Sequence, residues 1–266
     1  MMPYTNSSLA VCTILSPNHS GQRQHCIDRI SPHCVAGQCT AEALGAWFSR
    51  ASAGASSNYG IDRDGRVGLY VEEKNHSWCT SSNENDQRAV TIECASDTQA
   101  PYAMKEAVYE TLIRLSADIG RRNGKTKLLW IADKAKTLAY TPAPDEMLIT
   151  VHRWFANKSC PGDWLYSRLG DLAEKVTAAL SRTEEDAAPV TAVEPDAPAL
   201  PFLVRVKIAD LNIRTGPGTD YTRTGKYTGA GVFTVVEVRH GQGSAAGWGR
   251  LRSGAGWISL DFCDKL

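Results

Sequence analysis

Residues 56–71 read SSNYGIDRDGRVGLYV. Apolar and aromatic residues flank Asp62-Arg63-Asp64-Gly65 on both sides, so the stretch predicts two short strands, SSNYGID and RVGLYV, joined by a tight hairpin turn. Further along, RAVTIEC (88–94) and KLLWIA (127–132) read as strands of the same kind. Helical spacing interrupts them. CTAEALGAWFSR (39–50) offers Thr40 as N-cap and sets Leu44, Trp47 and Phe48 on one face. After Pro101, the residues Met104, Val108, Leu112, Leu115 and Ile119 keep helical spacing up to RRNG, where Gly124 ends the run. A last helix from about Asp163 lines up Leu165, Leu169, Leu172 and Val176. Strands interleaved with helices predict an α/β (α+β) core, a central mixed sheet flanked by helices.

Working outward, the pattern breaks at 182–201, RTEEDAAPVTAVEPDAPALP. Four prolines and five acidic residues without helical or strand periodicity predict an extended, semi-rigid linker. The expected division is therefore 1–181, a linker at 182–201, and a second domain at 202–266. In that last part FLVRVKIADLNIRTGPGTDY (202–221) alternates Val204, Val206 and Ile208 before a Gly-Pro-Gly turn. GVFTVVEV (231–238) and GWGRLRSGAGWISL (247–260) follow as short strands between glycines, so a small all-β barrel is expected.

Bulk properties narrow the function classes. The 266 residues exceed one typical domain, and 42% hydrophobic with 22% charged residues is ordinary globular composition. A formal net charge of zero gives no electrostatic reason to expect nucleic acid as partner. No stretch approaches the roughly 18 apolar residues of a spanning helix, so no membrane insertion is expected. The opening MMPYTNSSLAVCTILS has neither a basic start nor a sustained apolar run, which predicts synthesis in a bacterial cytoplasm without a signal peptide. A chain of this size builds a core without staples, so most of the eight cysteines are expected as reduced, buried thiols, Cys34 and Cys39 among them. His19 and His25 fall in a polar stretch read as loop.

Candidate chemistry gathers at a few points. His33 in RISPHCVAGQ (29–38) stands at a strand end, and His152 and Cys160 lie eight residues apart in TVHRWFANKSCPGDW (150–164). Two imidazoles and a thiolate make a normal three-ligand zinc set, with a fourth position open to water. On spacing alone each could equally be a core or surface residue. Pro161-Gly162 makes a turn that can hold the thiolate and start the last helix. In RAVTIEC, Val90, Ile92 and Cys94 share one face, leaving Thr91 and Glu93 on the other. A carboxylate inside a strand needs a reason, and general-base work beside a metal is one.

PHCVAG (32–37), SSNYGIDRDGRV (56–67), AVTIE (89–93) and HRWFANKSCPGDW (152–164) together resemble the zinc N-acetylmuramoyl-L-alanine amidases. That family shares a fold with phage amidase-lysozymes and animal peptidoglycan-recognition proteins. The resemblance covers most of residues 27–180, and the His…Lys-x-Cys-Pro-Gly element is its most specific part. It implies Zn2+ on His33, His152 and Cys160, with Lys158 stabilising the developing oxyanion. Tyr59 matches the tyrosine that faces the water in the phage type, and Glu93 matches the glutamate of cytoplasmic muropeptide-recycling relatives. Those relatives use an aspartate where this chain has Cys160, so two branches mix and the base stays open between Glu93 and Tyr59. His76 and Trp78, in a segment that borders the cleft in relatives, are the expected substrate-binding residues. The C-terminal part is similar to bacterial SH3-type cell-wall domains through LNIRTGPGTDY (211–221) and the GWGRL and GWISL elements. Tyr221, Trp248 and Trp257 are its candidate groove. Nine Lys/Arg against five Asp/Glu over 202–266, an excess of four, suit an anionic wall polymer, with a peptide stem as the other candidate ligand.

The implied function is cleavage of the amide bond between N-acetylmuramic acid and L-alanine in bacterial peptidoglycan by zinc-activated water, in a phage or prophage endolysin. A host autolysin, or a non-catalytic peptidoglycan-binding protein of the same fold, is the alternative. Cys160 separates the last of these, because non-catalytic relatives lose the thiolate.

Overall fold

A computed structural model describes residues 4–181 and 201–266; apart from Pro201, the expected linker lies outside the described residues. Contacts divide the chain into two compact units, Met1–Ala188 and Pro189–Leu266, each with its own apolar core.

The first unit runs β1 (Ala10–Thr13), β2 (His19–Gln22), β3 (Arg29–Cys34), α1 (Ala41–Phe48), β4 (Tyr59–Ile61), β5 (Val67–Leu69), β6 (Asn75–Ser77) and α2 (Asn83–Asp86). It continues with β7 (Ala89–Cys94), α3 (Glu106–Arg122), β8 (Lys127–Leu129), α4 (Lys134–Ala139), β9 (Glu146–Ile149), α5 (Asp163–Tyr166) and α6 (Leu169–Ser181). Seven strands form one mixed sheet in the order β1-β5-β4-β7-β3-β9-β8. Only β4 and β5 pair antiparallel; the other neighbours are parallel. β2 and β6 make a separate antiparallel ribbon, so His19 lies on a strand and not in a loop.

The local causes are visible. Asp62 Oδ1 accepts from the backbone N–H of Asp64 and Arg66 at 2.9 Å each, and Gly65 takes φ +80, closing the β4–β5 hairpin. Thr40 Oγ1 accepts from Ala43 N and caps α1. Val108, Leu112, Leu115 and Ile119 on α3 are fully buried, together with Leu169, Leu172 and Val176 on α6. They cover the sheet face that carries Val90, Ile92 and Cys94 of β7 and Tyr59 and Ile61 of β4. The opposite face carries Ser31, His33, Thr91 and Glu93. There α1 packs over β4, where a side chain at Gly60 would meet Tyr70 at 2.6 Å and Leu44 at 2.7 Å.

The expected strands SSNYGID and RVGLYV shorten to Tyr59–Ile61 and Val67–Leu69, and two further elements depart from their sequence pattern. KLLWIA pairs only through Leu129, because Trp130 leaves the sheet and stacks on Trp154 at 5.2 Å. The last helix is broken into α5 and α6. All eight thiols are free, but only Cys79 and Cys94 are buried and Cys26 is exposed, which corrects the expectation of mostly buried cysteines.

The second unit holds β10 (Phe202–Val206), β11 (Asn212–Arg214), β12 (Arg223–Tyr227), β13 (Gly231–Gly241), β14 (Ser244–Leu251), β15 (Trp257–Ser259) and β16 (Cys263–Lys265). All pair antiparallel, in the order β12-β11-β15-β14-β13-β10-β16. Val204, Val206, Leu211, Ile213, Val235, Leu251 and Ile258 fill its interior. Of the aromatic candidates only Tyr221 is exposed; Trp257 is buried, and Trp248, buried too, lines an open cavity with Asn212, Arg214 and Thr219. Among the described residues no helix is long and apolar enough to cross a membrane.

Candidate metal and catalytic site

Ile30 of β3 pairs with Ile149 of β9. His33 lies three residues beyond the first and His152 three beyond the second, so both imidazoles emerge at the carboxyl edge of parallel strands. Open α/β sheets bind ligands at that edge. The two rings stand 5.2 Å apart. Cys160 is returned to them by a closed loop, in which Arg153 N donates to Cys160 O at 3.1 Å and the Arg153 guanidinium holds Asp163 at 3.0 Å. The turn after Cys160 requires glycine: Gly162 has φ +81, and a side chain there would meet Tyr102 at 2.8 Å and the Pro101 carbonyl oxygen at 2.9 Å.

This brings Cys160 Sγ to 3.2 Å from His33 Nδ1. One donor atom each from His33, His152 and Cys160 lies within 4.8 Å of the others. Zinc bonds of about 2.0 Å to nitrogen and 2.3 Å to sulfur put tetrahedral neighbours roughly 3.3–3.6 Å apart, so the cluster fits a zinc ion. The protonation states fit as well. Burial and the neighbouring His152 push the His33 pKa down to about 3, and burial with the Lys158 charge lowers that of His152. Both rings therefore keep a free lone pair at neutral pH. The Cys160 thiol is held well above its usual range by the thiol of Cys34 and by burial, so it ionises only when a cation displaces its proton.

Glu93 pairs with His33 across β7 and β3, and the parallel register points both side chains to one face. Its Oε1 lies 3.8 Å from His33 Nδ1, and Cys79 Sγ donates to the same oxygen at 3.8 Å. Burial pushes the Glu93 pKa up to about 7 before any cation is bound. Lys158 is exposed at the rim, close enough to His152 to shift its titration. Ser81, held at φ +61, places its Oγ 3.1 Å from His152 Nε2.

Not every expected site residue joins this cluster. Tyr59 pairs with Ile92, so it points to the opposite, apolar face. Its hydroxyl donates to Glu73 Oε1 and accepts from Ser7 N, both at 2.7 Å, which corrects the expectation that it faces the metal. Glu73 is in turn paired with Arg122 at 2.6 Å, and Glu73 N donates to Asn6 Oδ1 at 2.9 Å. His76 is 2% exposed, with Nε2 3.1 Å from Gln87 Nε2, and its burial corrects the substrate-binding expectation. Trp78 is exposed, its indole donating to Ser20 Oγ at 2.6 Å. Sequence reasoning missed Ser81 and Cys79 at the cluster; Cys34 packs against the first core, as expected, while its thiol also acts on that of Cys160.

The profile of the N-acetylmuramoyl-L-alanine amidase family matches residues 21–163, just over half of the chain. No curated protein matches the chain in sequence. Among solved structures it is similar to the Staphylococcus aureus hydrolase AmiA in complex with its ligand, at 13% identity and TM-score 0.44, over 70% of this chain and 97% of that one. It is also similar to a selenomethionine AmpD derivative, at 19% identity and TM-score 0.42, over 64% and 98%. The Ph2119 endolysin of a Thermus scotoductus bacteriophage aligns at 18% identity and TM-score 0.37, over 58% and 88%.

Proposed function

Because the chain belongs to the N-acetylmuramoyl-L-alanine amidase family, we propose that it hydrolyses the amide bond between the lactyl group of N-acetylmuramic acid and L-alanine in bacterial peptidoglycan, with zinc held by His33, His152 and Cys160. The observation that carries this reading is a carboxyl and a thiol within 3.8 Å and 3.2 Å of one buried, neutral imidazole nitrogen. When bound, zinc supplies Lewis acidity to the scissile carbonyl and lowers the pKa of a water molecule.

The chain's own groups do the rest. Glu93 takes the proton of the attacking water and passes it to the leaving nitrogen, so the C–N bond breaks to a carboxylate and a free amine. Lys158 reaches in from the rim and donates to the oxyanion that develops on the carbonyl. Ser81 bonds the Nε2 side of His152 and fixes its ring, as partners behind metal-ligating histidines do. Tyr59, bonded to Glu73 on the other face, takes no part.

The second unit is proposed as an SH3-type wall-binding barrel, supported by its short antiparallel strands and glycine turns. Exposed Tyr221 and the excess of basic residues offer contacts to an anionic wall polymer or a peptide stem. A hydrolase joined to such a unit suits cell lysis of the endolysin kind.

Digestion of purified walls is the direct test. New L-alanine amino termini without new reducing sugars are expected, and reducing ends in their place would refute amidase action. Cys160→Ser should abolish lysis; undiminished lysis by that variant would sink the metal reading.

A further inference from the structure

We propose that His33, Cys79 and Glu93 form a second binding set for a thiophilic divalent cation, which competes with the first set for the same ion. The proposal rests on the zinc reading above and extends it. One donor atom from each of the three residues lies within 4.8 Å of the others. Glu93 Oε1 is 3.8 Å from both His33 Nδ1 and Cys79 Sγ. Against the roughly 3.3–3.6 Å expected between tetrahedral zinc ligands, these spacings fit about as well as the 3.2 Å contact of Cys160 does.

The position of Cys79 is fixed by backbone. Its N–H and that of Thr80 both donate to the buried Asp86 carboxylate at 3.3 Å, which ties the segment after β6 to α2. Cys79 is 8% exposed, and Glu93 Oε2 is buried with no hydrogen-bond partner among the described residues. A buried acceptor left unpaired is destabilising, and a cation at this point satisfies it. Nitrogen, sulfur and oxygen donors together suit zinc and its borderline-soft neighbours.

Both sets draw on His33 Nδ1, and that nitrogen has a single lone pair. Occupation is therefore exclusive. An ion in the second set expels the Cys79 proton to solvent and makes the Glu93 carboxylate a ligand, which removes it as a base. The site thus holds the ion in either a working or a resting position.

The test uses the full chain, stripped of metal and titrated with Co2+, whose thiolate-to-cobalt charge-transfer absorption reports sulfur ligation. Cys160→Ser and Cys160→Ala are both measured, with circular dichroism establishing that each is folded. Each is expected to bind one equivalent of Co2+ and keep a charge-transfer band, and the band should vanish in the Cys79→Ala/Cys160→Ala double variant. Loss of the band in both folded single variants overturns the second set, as does its persistence in the double variant. If the unaltered chain binds no cobalt, the zinc reading itself fails, an outcome distinct from the other two.

Discussion

Tyr59 pairs with Ile92 and Gly60 with Glu93 across β4 and β7. That one-residue offset sends the tyrosine to the apolar face and the glutamate to the site. Glu93→Gln should lower kcat by about 10²–10⁴, the usual worth of a positioned acid-base group. Tyr59→Phe should leave kcat unchanged and cost about 1.5–3 kcal/mol of stability in urea unfolding, because it removes a hydrogen bond to the carboxyl group of Glu73, the partner of Arg122. His33 adds a pH signature to the metal-free protein. Its folded pKa is about 3, against about 6.5 in the unfolded chain. Over that window the unfolded state binds more protons, so stability is full above the unfolded value and falls as pH falls. From about pH 7 to about pH 5 the loss is about 2 kcal/mol. Unfolding curves of the unaltered chain and His33→Asn at both pH values check it; equal slopes would exclude His33 as the cause. At this scale His33, His152, Cys160 and Glu93 were legible because motif and strand alternation mark them. Cys79 and Ser81 were not, since they reach the site from a loop with no period of its own. Tyr59 was misplaced because its face is decided by register with a strand about 30 residues away.

Among the elements, the loop from His152 to Gly162 matters most, because it alone returns Cys160 to the sheet edge. Gly162→Ala forces a side chain against Tyr102 and the Pro101 carbonyl at a left-handed φ. It should cost about 1–3 kcal/mol and weaken zinc affinity, measured by competition with a chromogenic chelator. Wild-type affinity in that variant would show that the loop does not position the thiolate. The long helices and the β4–β5 hairpin could be read in advance from apolar spacing and turn chemistry. β1 and β2, four residues each and partly exposed, and β6, with only three residues, leave no comparable pattern. The order of parallel strands is likewise a property of crossovers, not of any local run.

For the whole molecule, two cores with no shared members argue that the units fold separately. Residues 1–181 alone should still hydrolyse a soluble muropeptide but sediment poorly with insoluble walls, while 202–266 alone should co-sediment. Equal sedimentation of 1–181 and the full chain would place wall affinity in the first unit. The burial of Trp248 and Trp257 depends on how seven strands pair. The bonds from Asn6 and Ser7 to Glu73 and Tyr59 bear on engineering. A chimera built to redirect the first unit to other walls must keep Asn6 and Ser7 with that unit. A purification tag that displaces them would strip partners from Tyr59 and Glu73, so the safer fusion point is the opposite terminus.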